Sequence, residues 1–200
     1  LAVRFPSHPK AIGLLKILNY PLAAPSANIS SRVSPVTRNH VKEEFGKKIK
    51  YIIEGGLSKI GLESTIINLT DKPEILRIGS IDINKLSKAL KKKLLYRKKT
   101  YVKVPGQNRL HYSPGIPLRM NCGEASQDEA FILMKKRNNS NKNFFYLSKN
   151  KNLKEAARNL YSVLRMIKKK GYKKIAVEKI ENKGIGLAIN DRLQKASTKK

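Results

Sequence analysis

Small hydroxyl and amide side chains crowd two short stretches of this chain. In "PLAAPSANIS" (21–30), Ser26, Asn28 and Ser30 fall within five positions, with Ser31 and Ser34 just beyond; in "GLESTIINL" (61–69), Ser64 and Thr65 stand side by side. None is a strong acid, base or metal ligand. With backbone N–H groups at a strand–helix junction, such side chains suit phosphate or carboxylate oxygens. Taken singly, each is better accounted for as a turn or cap residue; the two stretches together point to anion binding. Arg4 follows one expected strand and Arg77 ends another. A guanidinium fork matches carboxylates and phosphates, but by residue type alone an ordinary surface arginine is the better account of each. Glu63, beside Ser64, reads as a structural acid. His8, His40 and His111 lack metal-ligand spacing, and no serine sits in a G-x-S-x-G elbow. Gly184-x-Gly186 lacks the third glycine of the dinucleotide fingerprint, which leaves a tight turn. The set describes an anion or nucleotide site with no evident general base and no metal. That suits chemistry run by positioning and electrostatics, as phosphoryl and nucleotidyl transfer largely are.

The elements that must position these groups alternate. Residues 1–5 read as a strand end. Ser7 precedes Pro9, a good first-turn residue, and Ile12, Leu15 and Leu18 recur at helical spacing up to Tyr20–Pro21. Leu22–Ala24 reads as a short strand. Thr37 caps a helix carrying Val41 and Phe45 and ended by Gly46. "IKYIIEGG" (49–56), "STIINL" (64–69) and "EILRIG" (74–79) read as strands, the last two joined by a turn at Asp71–Lys72–Pro73. Ser80 is expected to cap a helix with Ile83, Leu86 and Leu90 on one face. Residues 93–119 hold three prolines, two glycines and no helical period, too long for an ordinary loop. Beyond them, Ser126–Glu129 resembles a capping box ahead of "AFILMKK", which predicts a helix there. "NFFYLS" predicts a strand, Leu153, Ala156, Leu160, Leu164 and Ile167 the stripe of a long helix ended by Gly171, "KKIAVEKI" a strand and "GLAINDRLQKA" a last helix. This alternation argues an α/β fold closing in a small, mainly parallel, Rossmann-like unit.

Composition sets the bounds. With 200 residues, 40% of them hydrophobic, the chain has enough apolar mass for one or two packed domains. No apolar run approaches the ~20 residues of a membrane span, and the start has no signal-peptide pattern. A single cysteine, Cys122, excludes an internal disulfide framework or a cysteine-cluster zinc site, and makes a reducing cytoplasm the expected location. Leu1 in place of Met, and the mid-strand look of "LAVRFP", suggest a fragment. The net charge of +29 favours polyanions, nucleic acid among them. The lysines, however, are spread through short runs at 91–93, 168–170 and the tail, with little of the aromatic interleaving that marks single-strand binding.

Eight strings, "AVRFPSHP", "PLAAPSANIS", "SPVT", "IIEGG", "GLESTIINL", "EILRIGSI", "PGQNRLHYSPGIPL" and "GIGLAINDRLQKA", follow the order seen in the threonylcarbamoyl-AMP synthase family. The chain resembles its long, two-domain form over nearly its whole length. The resemblance implies an α/β architecture of three parts: the C-terminal part of a YrdC-like domain (1–92), a linker folding over the active site (93–119) and a C-terminal Rossmann-like domain (120–200). It implies a nucleotidyltransferase that makes threonylcarbamoyl-AMP and pyrophosphate from L-threonine, bicarbonate and ATP. ATP would be a substrate, with Mg2+ and without a tightly bound cofactor. The product would feed the threonylcarbamoyladenosine modification of tRNA through downstream tRNA-modification enzymes. Arg4, Ala24 and Ser64 would bind threonine; Ser26, Asn28, Ser34, Arg77 and Tyr112 would bind ATP, Tyr112 from the linker. No catalytic residue is implied. The family's N-terminal stretch, with its own basic contacts, has no counterpart, so residues 1–200 alone are expected to be inactive, with open strand edges in the first domain. Three positions depart from the family pattern: Ser31 for Gly, Val36 for Thr and Ile78 for Pro. Two alternatives remain: a YrdC-like module that binds double-stranded RNA or tRNA, and the YrdC-like part of a carbamoyltransferase of hydrogenase maturation, against which "HYSPGIP" and the C-terminal domain argue.

Overall fold

The structure, a computed structural model, describes residues 1–70, 72–96, 104–106 and 111–197. Part of the turn expected at 71–73, most of the linker's centre and the Lys199–Lys200 tail lie outside the described residues. Helix α1 (Pro9–Lys16) opens on Pro9, with the His8 side chain accepting the Lys10 N–H at 3.2 Å. Helix α2 (Arg38–Phe45) is capped by Thr37, whose hydroxyl accepts the His40 N–H at 3.2 Å, and it stops at Gly46 with φ 54° before a 3-10 turn at Gly46–Lys48. Strands β1 (Ile66–Asn68) and β2 (Glu74–Arg77) pair antiparallel, and β3 (Leu95–Tyr96) joins β2 in parallel after helix α3 (Ile83–Ala89).

The C-terminal half builds a second sheet from β4 (Leu118–Arg119), β5 (Glu129–Leu133), β6 (Phe144–Tyr146) and β7 (Lys174–Val177). Every pairing is parallel, in the order β4-β7-β5-β6. Helix α4 (Leu153–Lys169) links β6 to β7 and helix α5 (Ile185–Ser197) follows β7. Asn152 caps α4 by accepting the Lys154 and Glu155 N–H groups at 3.0 Å. Ala156, Leu160, Leu164 and Ile167 on α4, with Ile189 and Leu193 on α5, are buried with Ala130, Ile132, Ile175 and Val177 of the sheet. Each Leu, Ile or Val side chain among them, withdrawn from water, contributes about 1.5–3 kcal/mol. Val33, Val36 and Tyr112 belong to the same buried cluster, so the N-terminal half and the linker share a core with the C-terminal half. Arg165 of α4 fastens them further, donating to the Val33 carbonyl at 2.5 Å and to Glu44 of α2 at 2.9 Å. A smaller cluster of Ile75, Ile78 and Leu94 around Ala188 of α5 does the same for the first sheet.

Several expectations are corrected. Residues 1–5, 22–24 and 49–56 form no strand, and Leu1, Val3, Phe5, Leu22, Tyr51 and Ile53 are exposed. An apolar run becomes a strand only where a neighbour takes up its N–H and C=O groups, and no described strand lies beside these. The first helix ends at Lys16, short of Leu18, and Asp82 rather than Ser80 caps α3. "AFILMKK" is strand β5, not a helix. Half of a capping box is present, the Ser126 N–H donating to the Glu129 carboxylate at 2.8 Å, but the Glu129 N–H goes to the Ser126 backbone carbonyl at 3.0 Å rather than to its hydroxyl, and the pair closes a turn. All five residues of β5 are buried, as in a central parallel strand covered on both faces. The two ends of the linker are occupied by β3 and β4.

Candidate functional site

The end of β2, the stretch before β1, the linker and α5 converge on one place. Arg77 is 9% exposed, and three hydrogen bonds fix its guanidinium. Nε donates to the Ser64 carbonyl at 3.0 Å, Nη2 to the Ser64 hydroxyl at 3.1 Å and Nη1 to the Pro105 carbonyl of the linker at 3.0 Å. The close approach needs Gly79: a Cβ there would strike the Thr65 backbone nitrogen and lie 2.7 Å from the Ser64 carbonyl carbon and the Thr65 hydroxyl. Burial lowers the pKa of Arg77, against the opposing pull of Tyr112 and Glu63.

Glu63 is the hub beneath. It accepts the Ser34 hydroxyl at 2.6 Å, the Tyr161 hydroxyl at 3.0 and 2.8 Å, and Arg192 Nε at 3.0 Å. Burial pushes its carboxyl up, but the Arg192 charge and the hydrogen bonds from Ser34, Tyr161 and its own backbone outweigh that and hold it below the usual carboxylate range. A carboxylate so engaged is a structural anion rather than a general base. The Tyr112 ring stacks on Tyr161, with centroids 5.7 Å apart and planes 20° apart, and Arg192 lies 5.3 Å from its centre. Its hydroxyl lies at Gly106, where an added Cβ would strike it and stand 3.4 Å from Arg77 Cδ. Burial and the Glu63 charge push the Tyr112 phenol up to about 12. Its backbone is left-handed, φ 60°, a strained choice for a side chain that the ring packing maintains.

Four of the residues singled out from the sequence therefore meet: Ser34, Ser64, Arg77 and Tyr112. Asn28 is buried at the margin; its Nδ2 donates to the Ile29 carbonyl at 2.9 Å and the Arg32 carbonyl at 3.3 Å, and Arg32 bridges to Ser113 of the linker. Arg4, Ala24 and Ser26 are exposed, and no described hydrogen bond ties them to this cluster. Ser31 stands at φ 67°, in the left-handed region that glycine occupies freely, where the resemblance expects glycine. Sequence reasoning missed Tyr161 and Arg192. Both sit on helix faces among apolar neighbours, and only the fold sets them opposite Glu63. Among the described residues no group of three or more His, Cys, Asp or Glu could hold a metal ion, and no helix is long and apolar enough to cross a membrane. The cluster consists of an arginine fixed by three hydrogen bonds, two hydroxyls and two buried, stacked aromatic rings, each bonded to or packed against the others.

Residues 77–198 match the family described as "Threonylcarbamoyl-AMP synthase, C-terminal domain". The chain belongs to the threonylcarbamoyl-AMP synthase family. Residues 1–79 match a second family, described as "Telomere recombination". Curated threonylcarbamoyl-AMP synthases of Pyrococcus abyssi, Schizosaccharomyces pombe and Bacillus subtilis are 36, 33 and 30% identical to it, each over 98% of this chain. The chain spans 64, 57 and 63% of their respective lengths. Its fold is that of P. abyssi Sua5 complexed with L-threonine, with a TM-score of 0.84 and 32% identity over 97% of this chain and 63% of that one. A variant of the same synthase with a histidine and the following tyrosine changed to alanine superposes with a TM-score of 0.81. The α/β class expected from the alternation of elements is the one observed.

Proposed function

We propose that this protein makes threonylcarbamoyl-AMP, joining L-threonine and bicarbonate and transferring AMP from ATP with release of pyrophosphate. The observation that carries the reading is the meeting of Ser64, Arg77 and Tyr112, drawn from three separate segments, at one buried arginine. In this reading Arg77, Ser34, Ser26, Asn28 and Tyr112 serve ATP, with Mg2+ accompanying the phosphates, and Arg4, Ala24 and Ser64 serve threonine. Residues 1–92 act as the YrdC-like part, 93–119 as the linker over the nucleotide and 120–200 as the Rossmann-like part. The likeness to a synthase solved with L-threonine supports the threonine half. Arg77 and the hydroxyls would act by electrostatics and orientation, so no general base is required of Glu63. The product would pass, in the cytoplasm, to the enzymes that modify tRNA. The experiment is pyrophosphate release by the full-length protein from ATP and Mg2+, with L-threonine and bicarbonate each withheld in turn. Release that requires both, with a product of the mass of threonylcarbamoyl-AMP, bears the reading out; release independent of threonine refutes it.

A further inference from the structure

Helix α5 carries an arginine that the chemistry above does not use. Arg192 is 1% exposed. Its Nε donates to Glu63 at 3.0 Å and its Nη1 to Asp191 at 2.6 Å, while Nη2 has no hydrogen-bond partner. A buried ion pair is a poor source of stability, because desolvation offsets most of the attraction and an apolar side chain of like volume fills a core as well. What the planar fork supplies is geometry.

Two lines of contact start from it. In the first, Arg192 holds Glu63 from one side and the Tyr161 hydroxyl holds it from another, at 2.8 Å; Glu63 in turn receives the Ser34 hydroxyl at 2.6 Å. In the second, the Tyr112 ring packs against both Tyr161, at 5.7 Å, and Arg192, at 5.3 Å. The Tyr112 hydroxyl end abuts Gly106 beside Arg77, whose Nη1 is bonded to the preceding Pro105 carbonyl. Tyr161 and Arg192 thus reach, from the C-terminal half, side chains assigned to ATP in the N-terminal half and the linker.

We infer that Arg192 and Tyr161 are positioning residues for the nucleotide: the C-terminal half completes the ATP site by seating Ser34 and Tyr112, without itself touching the ligand. The inference rests on the function proposed above. It is tested on the full-length protein with Arg192→Lys, Tyr161→Phe and Phe131→Leu. Lysine keeps the charge but loses the fork and the flat face on Tyr112. Phenylalanine keeps the ring and removes one donor to Glu63. Phe131 is buried on the other face of the parallel sheet, apart from this cluster, and serves as a control for stability alone.

Calorimetric titration of ATP and of L-threonine, beside Tm, gives the readout. Arg192→Lys and Tyr161→Phe are expected to weaken ATP by about 10- to 150-fold, the worth of about one charge-assisted hydrogen bond, with a smaller change for threonine. Phe131→Leu is expected to lower Tm and leave the ATP Kd at the wild-type value. Wild-type ATP affinity in Arg192→Lys and Tyr161→Phe overturns the inference, as does an ATP Kd that weakens in step with Tm in all three variants. If Arg192→Lys does not fold, Tyr161→Phe decides between the same two outcomes. Wild-type protein that binds neither ligand overturns the proposed function, and the inference with it.

Discussion

Gly61→Ala is a one-carbon change with a calculable cost. Gly61 has φ 78°, and a Cβ there would lie 2.5 Å from Arg158 Cα, 2.6 Å from the Ala157 carbonyl oxygen and 2.7 Å from the Arg158 carbonyl oxygen, all backbone atoms of α4. Holding an L side chain in the left-handed region costs about 1–2 kcal/mol. The atoms in the way belong to a helix and cannot rotate aside, so overpacking adds about 1–3 kcal/mol. The sum, about 2–5 kcal/mol, corresponds to a Tm lower by roughly 4–20 °C for a chain of this length. Relief would come by moving 61–65 off α4, which carries Glu63 away from Tyr161 and Ser64 away from Arg77, so ATP affinity falls as well. Urea unfolding followed by circular dichroism gives the stability. Gly13→Ala is the control, because nothing lies within 4 Å of a Cβ at that helical position; there alanine is expected to gain about 0.5–1 kcal/mol. A Gly61→Ala protein as stable as wild type would show that the segment steps away from α4 freely, and would refute the packing argument.

Tyr112→Ala removes a ring that is 1% exposed and stacked on Tyr161, and should cost about 3–5 kcal/mol by thermal unfolding; a cost near zero would mean that the ring is not the peg joining linker to core. Glu129 is held at about 2 chiefly by its hydrogen bonds from Arg119, at 2.9 and 2.7 Å. Because the folded pKa lies below the unfolded value, its stabilisation is complete above about pH 4.5 and disappears as pH falls toward about 2. Acid titrations should therefore show a flatter decline for Glu129→Gln than for wild type, and coincident curves would refute the assignment. Arg4→Ala in the full-length protein should weaken threonine by about 10- to 150-fold, the loss of a charge-assisted contact, and leave ATP nearly unchanged by calorimetry; an unaltered threonine Kd removes Arg4 from the site.

Wherever the determining interaction is local, the sequence was enough. Thr37 and Gly46 bracket α2, the Leu153–Ile167 stripe sets α4, and glycine is found at the left-handed turn after it, because a cap, a helical face or a positive φ involves residues a few positions apart. The hydroxyl-rich stretches could likewise be picked out by residue type, but the burial of Arg77 against Ser64 could not, since an arginine at a strand end reads by itself as a surface residue. Tertiary structure alone decided the rest. "AFILMKK" follows the capping pattern of a helix, yet β6 and β7 on either side of it make it a strand. The apolar runs at 1–5, 22–24 and 49–56 have the composition of strands and no described neighbour to pair with. Glu63 looked like an isolated acid until Tyr161 and Arg192, 98 and 129 residues away, were brought against it. Such contacts depend on which helix faces meet across the core, and that is a property of the whole packed chain rather than of any window along it.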